Sequence, residues 1–163
     1  MPLPSAINAT APSAHSASAE HLIAASGVRP DDRVLVFGYH VLDHLVGLAR
    51  HGVDCALGIH AGSRYCPREA VDVVWFTAVG DIDSEVIGAL RGIGCPRLVA
   101  VELVPPSEFG SLRRLIVRLR GIGLANTSYY KANGRFILTA WRPSSRRTVS
   151  AAGSVIPLRR TAQ

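Results

Sequence analysis

The sequence predicts an α/β fold: a doubly wound, mostly parallel sheet of about six strands that ends in an antiparallel hairpin. Continuously apolar segments, which suit strands buried on both faces, alternate with segments whose apolar residues recur every three or four positions, as in amphipathic helices. This alternation is typical of a parallel sheet flanked by helices. The last two apolar segments are joined by Asn133-Gly134, a dipeptide typical of tight hairpin turns.

The first predicted strand lies between two predicted helices. Residues 20–26 form a short helix that ends at Gly27, because glycine suits the left-handed conformation at a helix C-terminus. Residues 33–37 are the strand, and Gly38 separates it from a helix that runs to about residue 50. The predicted buried face of this helix has four apolar residues at helical spacing: Leu42, Leu45, Val46 and Ala49.

Five more strands and two more helices follow. The predicted strands cover residues 53–59, 71–79, 97–103, 124–131 and 135–141. Asp81, Asp83 and Ser84 are predicted to cap a helix that runs through residue 90, since short side-chain acceptors satisfy the free amides of a first turn. The last helix has an apolar stripe that includes Leu112 and Leu119, with its arginines mostly outside the stripe: Arg113, Arg114, Arg118 and Arg120.

Composition predicts one soluble domain over residues 20–143 of this 17.4 kDa chain, which has 163 residues, 48% of them hydrophobic and 18% charged. Residues 1–19 and the Arg-containing tail, 144–163, are predicted to be flexible. No apolar run is long enough to span a bilayer, and residues 1–28 lack the basic start of a secretory signal. Three cysteines without a CxxC pair predict a cytoplasmic protein with three buried thiols.

Four stretches resemble the class I S-adenosylmethionine-dependent methyltransferases. These stretches are LIAASGVRPDDRVLVFG (22–38), AVDVVWFTAV (70–79), CPRLVAVEL (95–103) and GIGLANTSYYKANGRFILTAWRP (121–143). They are similar to the family's entry into the first strand, its fourth and fifth strands and its closing hairpin. The resemblance implies a Rossmann-like fold over residues 20–143 and S-adenosylmethionine as the family's cofactor.

The chain departs from the family in its cofactor motifs. The family has an acid and a GxGxG loop at the end of the first strand, where this chain has Val36 at the acid and Gly38, His40 and Leu42 at the glycines. A Cβ at the second glycine would project toward the carboxypropyl group of the cofactor. His60 replaces the acid that grips the ribose, and a neutral imidazole cannot accept a hydrogen bond from both hydroxyls.

The chain is also shorter than the resemblance implies. Only residues 60–70 separate the second and third predicted strands, which is about the minimum for a parallel crossover. We therefore expect one edge strand and its helix to be missing, together with the wall that covers the adenine in the family. The Asn/Asp-Pro-Pro-aromatic signature of amino methyltransferases is replaced by Thr77-Ala-Val-Gly80.

These departures predict a pseudoenzyme that binds a small ligand or a protein partner through the crevice after the first strand. The expected site residues are Gly38, Tyr39, His40, His60 and Asp81. The alternative is an active, divergent methyltransferase whose cofactor is held in an unusual way by Tyr39, His40 and His60, with catalytic residues unknown. We expect no metal: Cys55, His60, Cys66 and Cys95 match no zinc spacing, and acids near residue 83 suit helix capping.

Charge raises a third hypothesis, a module that binds nucleic acid or another polyanion. The net charge is +6, the pI is about 9.9, and 17 of the 18 basic residues are arginine. The arginines of the last helix and the tail could contact phosphates, although no RNA- or DNA-recognition motif accompanies them. An unpaired sheet edge, left by the missing strand, also makes a homo-oligomer a hypothesis.

Overall fold

The computed structural model describes residues 14–63, 67, 69–78, 82–103, 109–132 and 135–143. Four helices and six strands alternate along these residues in the predicted order. The elements are α1 (Ala14–Ser26), β1 (Arg33–Gly38), α2 (Val41–Arg50), β2 (Cys55–His60), β3 (Val73–Thr77), α3 (Ile82–Ile93), β4 (Leu98–Leu103), α4 (Phe109–Gly121), β5 (Asn126–Ala132) and β6 (Arg135–Trp141).

The sheet confirms the predicted fold class. Its strand order is β2-β1-β3-β4-β6-β5, in which β1 to β4 are parallel and β6 runs antiparallel to both β4 and β5. The chain moves from β1 to one side for β2 and then to the other side for β3. The carboxyl end of β1 is therefore a topological switch point, where open α/β sheets form a ligand crevice. The described sheet ends at β2 on one side.

Hydrophobic clusters lie on both faces of the sheet. On one face Leu22 of α1 and Leu48 of α2 belong to the same cluster as Trp75 of β3. On the other face, side chains of α3 and α4 form a cluster with Phe37 and Phe76, whose ring centroids lie 5.5 Å apart. Every residue of β3 and β4 is buried, which explains why these strands are apolar in the sequence except at Thr77 and Glu102.

α1 begins at Ala14, six residues before the predicted start. Residues 14–19, which the sequence placed in the flexible arm, are therefore helical. Tertiary contacts explain the difference, because the buried Ser18 donates a hydrogen bond to Glu102 Oε1 at 2.8 Å. Ala19 packs closely on α2, since a Cβ added to Gly47 would lie only 2.4 Å from the Cβ of Ala19. The rest of the predicted arm and the tail lie outside the described residues.

The predicted buried face of α2 is wrong in part. Leu42 is 72% exposed, Val46 is 43% exposed and Ala49 is also exposed. The buried residues of α2 are His44 and Leu48. α2 lies directly against β2, since a Cβ added to Gly58 would come within 2.9 Å of both the Val41 and Leu45 side chains. Apolar residues on both sides of the helix made its orientation ambiguous in the sequence.

The prediction of three buried thiols is also wrong. Cys55 and Cys95 are exposed, because Cys55 begins the outermost strand β2 and Cys95 lies in the connection before β4. Cys66 lies outside the described residues. Within the described ranges, the helices are too short or too polar to cross a membrane.

Candidate functional site

Gly38 ends β1 at a point where the chain has no room for a side chain. Its φ is +140°, and an ideal Cβ on it would lie 1.8 Å from the carbonyl oxygen of Thr77 on β3. Only glycine avoids this clash and adopts this backbone angle without strain. Gly38 therefore allows β1 and β3 to approach closely at the switch point.

Backbone hydrogen bonds fix the residue that follows. The Tyr39 N–H donates to the Thr77 carbonyl at 3.1 Å, and the Thr77 hydroxyl donates to the Tyr39 carbonyl at 3.0 Å. On the side of β2, the Ala61 N–H donates to the Gly38 carbonyl at 3.0 Å. The backbone of Tyr39 is therefore tied to β3, and that of Gly38 to the residue after β2, before α2 begins.

Two non-glycine residues beside the switch point have left-handed backbone angles. His40, the N-cap of α2, has φ 55° and ψ 30° and makes no side-chain capping hydrogen bond. Ala78, directly after β3, has φ 49°. Such angles typically cost about 1–3 kcal/mol for residues with a Cβ and cluster at functional sites. Among the described residues, these two are the non-glycine positions with positive φ.

The side chains of Tyr39 and His60 contact each other at the carboxyl ends of β1 and β2. Their ring centroids lie 5.1 Å apart at an interplanar angle of 89°, an edge-to-face arrangement. His60 Nδ1 lies 2.9 Å from the Ala61 carbonyl oxygen. Tyr39 is 44% exposed, so its ring contacts His60 while remaining accessible to solvent. The two aromatic rings are thus in contact at the carboxyl ends of two paired strands.

Four of the five predicted site residues come together here. Gly38, Tyr39 and His40 are consecutive, and His60 contacts Tyr39. The fifth, Asp81, lies outside the described residues. In the described part of the chain, no group of three or more His, Cys, Asp or Glu side chains is arranged to hold a metal ion.

Sequence reasoning missed two features of the site. The first is Thr77, whose buried hydroxyl and carbonyl both bond to Tyr39; a threonine ending an apolar strand gives no signal of this role. The second is the left-handed backbone at Ala78, which alanine does not indicate. His44, in the first turn of α2, is 2% exposed and its ring lies edge-on to Trp75, with the ring centroids 6.4 Å apart.

Exposed apolar side chains lie at the site and on α2, the helix that follows it. Tyr39, Leu42 and Val46 are among the large hydrophobic residues that remain accessible to solvent. Leu42 and Val46 are four residues apart and therefore neighbours on the outer side of α2. We call these three residues the crevice rim.

Two solved structures share this architecture. A protein from Thermoplasma acidophilum assigned to the methyltransferases aligns with a TM-score of 0.51 and 11% identity, over 72% of this chain and 71% of its own. A protein of the NADB-Rossmann superfamily from Streptococcus agalactiae aligns with a TM-score of 0.50 and 12% identity, over 85% of this chain and 72% of its own. The chain therefore has a Rossmann-like, methyltransferase-like fold. No protein-family profile matches the chain, and no curated protein matches it either.

The methyltransferase-like fold indicates where on this chain a ligand would bind. In open α/β sheets, ligands bind outside the carboxyl ends of the strands at the switch point. Gly38, Tyr39 and His40 lie at that point, and His60 ends the neighbouring strand. Fold likeness alone does not determine chemistry, which depends on these side chains.

Proposed function

We propose that this chain is a methyltransferase-like domain that lacks normal S-adenosylmethionine-dependent catalysis and acts as a binding module through the crevice after β1. The observation that carries the proposal is the contact between Tyr39 and His60. Tyr39 directly follows β1 and His60 ends β2, and on the resemblance these are the strand ends that would have to receive the nucleoside of the cofactor.

The residues present do not supply the cofactor grip that the resemblance implies. At the tip of β1 a carboxylate would hold the methionine amino group, but Val36 is apolar and fully buried. A carboxylate at the tip of β2 would accept bonds from both ribose hydroxyls, whereas His60 offers an imidazole. The N–H and carbonyl of Tyr39 are already bonded to Thr77. These features support loss of the usual cofactor mode.

The crevice rim favours a protein partner over a small ligand as the occupant. Leu42 is 72% exposed, and Tyr39 and Val46 are each more than two-fifths exposed. Side chains that protrude from a surface suit insertion into a partner, whereas small-ligand sites are concave. A small ligand that stacks on the exposed Tyr39 ring remains the alternative occupant.

Ligand titration tests the loss of cofactor binding. We expect S-adenosylmethionine and its demethylated product to leave the melting temperature of the full chain unchanged at 1 mM. A ligand present at 100 times its Kd would raise the free energy of unfolding by about 2.7 kcal/mol, which is readily measured. Saturable binding in calorimetry, abolished by Tyr39→Ala, would contradict the proposal.

Substitution in the crevice rim tests the binding role. Leu42→Glu should abolish a specific protein interaction of the full chain, because it places a charge among the apolar rim residues. Val117→Glu is the matched control, since Val117 is 67% exposed on a different helix, α4. The proposal is supported if a protein binds to the wild type and to V117E but not to L42E, and if the same difference is found when that protein is purified and mixed with each variant. Equal retention by both variants would contradict it.

A divergent active methyltransferase is the second candidate. It is favoured by the backbone at His40, whose left-handed angles are those that a glycine of the cofactor loop would adopt easily, and by the retained Gly38. On this hypothesis the calorimetric titration above yields binding that depends on Tyr39 and His60. The same experiment therefore separates the two candidates.

A further inference from the structure

The two edges of the sheet differ in how they are protected against pairing with another strand. β5, at one edge, carries the exposed Lys131, and charged side chains of this kind deter edge-to-edge association. β2, at the other edge, contains no lysine, arginine, aspartate, glutamate or proline between Cys55 and His60. No strand in the described ranges lies beyond it. β2 therefore has the composition of an edge that can accept a partner strand.

The backbone of β2 points alternately toward β1 and away from it. The Ala61 N–H donates to the Gly38 carbonyl of β1 at 3.0 Å. The backbone groups of every second residue before Ala61, Leu57 among them, therefore also face β1. Those of Ala56 and Gly58 face the open side of β2. Such a row of donors and acceptors at a sheet edge is a template for another strand.

Leu57 exposes apolar surface on one face of the sheet beside this edge. The neighbouring Gly58 faces α2, since a Cβ added to it would lie 2.2 Å from the Val41 side chain. Side chains alternate along a strand, so Leu57 faces the other way, as does Ile59, which packs in the cluster that includes residues of α3 and α4. Because Leu57 is 43% exposed, the described elements leave much of its side chain uncovered.

α2 exposes apolar surface on the opposite face of the sheet. Gly47 faces α1, where it lies against Ala19, and Leu45 faces Gly58 of β2. At 3.6 residues per turn, Leu42 lies about 60° further around the helix than Leu45, on the side away from Gly47. Leu42, and Val46 one turn later, therefore project past β2 on the side of α2 away from α1. Both faces of the sheet thus carry exposed apolar side chains at this edge.

The two ends of β2 carry complementary side chains. Asp54, directly before β2, and His60, its last residue, are both exposed and both three residues from Leu57. Antiparallel pairing with β2 of a second copy, about a twofold axis at Leu57, places Asp54 opposite His60 of the partner subunit. The carboxylate can accept a hydrogen bond from the imidazole. The same register pairs Ala56 with Gly58 of the partner subunit. This self-complementarity favours a second copy over an unrelated strand.

We propose that two copies of this chain pair through β2 as antiparallel strands, so that their six-stranded sheets form one continuous sheet. The Leu57 side chains meet at the twofold axis on one face. On the other face the two α2 helices lie side by side with Leu42 and Val46 between them. Asp54 of the partner subunit contacts His60 and so completes the crevice. The inference rests on the proposed function, because it names a second copy as the protein that contacts the crevice rim.

Sedimentation equilibrium of the full chain from about 1 to about 200 µM tests this proposal. The expected mass at the upper concentrations is twice the 17.4 kDa of one chain. Leu57→Lys should raise the Kd of the dimer about tenfold or more, because it places like charges opposite each other at the axis. Val117→Lys is the matched control, since Val117 is 67% exposed on α4. A monomer at every concentration, or equal weakening by the two variants, would overturn the proposal.

Cysteine cross-linking tests the register without placing a charge in the interface. The background chain has serine in place of its two exposed cysteines, Cys55 and Cys95. In it Leu57→Cys should form a disulfide-linked dimer, since opposed residues of a non-hydrogen-bonded antiparallel pair have Cα atoms about 4.5 Å apart. Ala56→Cys is the control, because each Ala56 lies opposite Gly58 of the partner subunit. Cross-linking of L57C alone supports the register, whereas equal cross-linking of both variants, or of neither, contradicts it.

Asp54→Asn tests the contact with His60. It should raise the Kd of the dimer about threefold or more, because the pair occurs twice in a symmetric dimer. Glu20→Gln removes an exposed carboxylate from α1 and should leave the Kd unchanged. Equal Kd values for D54N and E20Q would show that Asp54 does not reach the crevice of the other copy.

These measurements separate the failure of the dimer from the failure of the proposed function. A chain that is monomeric up to about 200 µM, while Leu42→Glu still abolishes binding of another protein, would overturn the dimer and leave the proposed function intact. A dimer that L57K disrupts but L42E does not, with no other protein lost in L42E, would support pairing through β2 and contradict the binding role of the crevice rim.

Discussion

His40 has a backbone conformation typical of glycine although it carries a large side chain. It has the left-handed angles that glycine adopts freely, and it lies where the methyltransferase loop has its second glycine. The resulting strain is tolerated because the backbone of Gly38 and Tyr39 on its N-terminal side is hydrogen bonded and α2 begins directly after it. The strain should therefore be measurable as lost stability.

Replacing His40 with glycine should raise the free energy of unfolding by up to about 1 kcal/mol, because relief of the left-handed strain outweighs the added freedom of the unfolded chain. Urea denaturation measures this. His51→Gly is the matched control at the other end of α2, where φ is −83° and glycine should cost about 0.5–1 kcal/mol. Equal losses in H40G and H51G would show that His40 is unstrained.

Tyr129 gives the stability of the fold a dependence on alkaline pH. Burial raises the pKa of its hydroxyl from 10.0 to about 12. The folded state therefore holds this proton more tightly than the unfolded state does. This stabilisation is complete below pH 10 and is lost as the pH rises from 10 through 12.

We expect the free energy of unfolding to fall less between pH 9 and pH 11 in Tyr129→Phe than in wild type, because phenylalanine has no proton to lose. Urea denaturation at the two pH values measures the difference. The tyrosinate absorbance that separates wild type from Y129F should titrate with a midpoint near 12. A parallel decline in both proteins would contradict the assignment.

At the scale of elements, a polar cluster fastens α1 to the sheet. The carboxylate of Glu102, on β4, is buried and accepts hydrogen bonds from Ser18 of α1 and Arg135 of β6. Arg135 also donates to the Ser18 hydroxyl at 3.2 Å. Three elements that are distant in sequence therefore share one buried charge.

Arg135→Gln should destabilise the fold by about 1–3 kcal/mol, since it leaves the Glu102 carboxylate without its cation. The cost is less than that of a fully buried pair because the Arg135 side chain is 38% exposed. Glu102→Gln should cost less, and combining it with R135Q should restore part of the loss. Urea denaturation measures the free energies of unfolding of the three variants. Hydrogen exchange shows whether the amides of α1 lose protection before those of the rest of the fold.

Arg33→Gln is the control for this prediction, because Arg33 forms an exposed ion pair with Glu69 at 3.8 Å. Exposed pairs contribute only about 0–1 kcal/mol, so R33Q should be nearly neutral. A loss in R135Q no larger than that in R33Q would show that the cluster does not anchor α1.

The same elements show what the sequence could and could not predict. The order of strands and helices was predictable because β3 and β4 are buried on both faces and are therefore apolar at all but one position each. The early start of α1 was not, because it depends on Ser18 contacting Glu102, 84 residues away. The buried side of α2 was not predictable either, since its contact with α1 at Gly47 selects one of two apolar stripes.

The site was partly predictable for the same physical reason. Parallel strands bring their carboxyl ends to one edge, so Gly38, Tyr39, His40 and His60 could be placed together from the order of elements. The hydrogen bonds of Thr77 and the backbone of Ala78 depend on local geometry that their residue types do not encode.

At the scale of the whole molecule, the described sheet ends at β2. We expect this to limit how far single substitutions can create cofactor binding. No strand among the described residues pairs with the outward side of β2, and Leu57 in its middle is 43% exposed. In the methyltransferases that the sequence resembles, a further strand and helix lie beyond this position and cover the adenine. A cofactor bound here would therefore leave apolar surface in water.

The double substitution His40→Gly with His60→Asp introduces the glycine and the acid that the methyltransferases have at these positions of their cofactor motifs. If these two side chains alone prevent cofactor binding, this variant should bind the demethylated product of S-adenosylmethionine in calorimetry. We expect no binding at 1 mM, because the Tyr39 backbone stays bonded to Thr77 and no strand in the described part of the chain lies beyond β2 to cover the adenine. His51→Gly with His60→Asp controls for changes in stability. A Kd below about 0.1 mM, equivalent to roughly −5.5 kcal/mol, in the first variant alone would show that the crevice needs only its side chains restored.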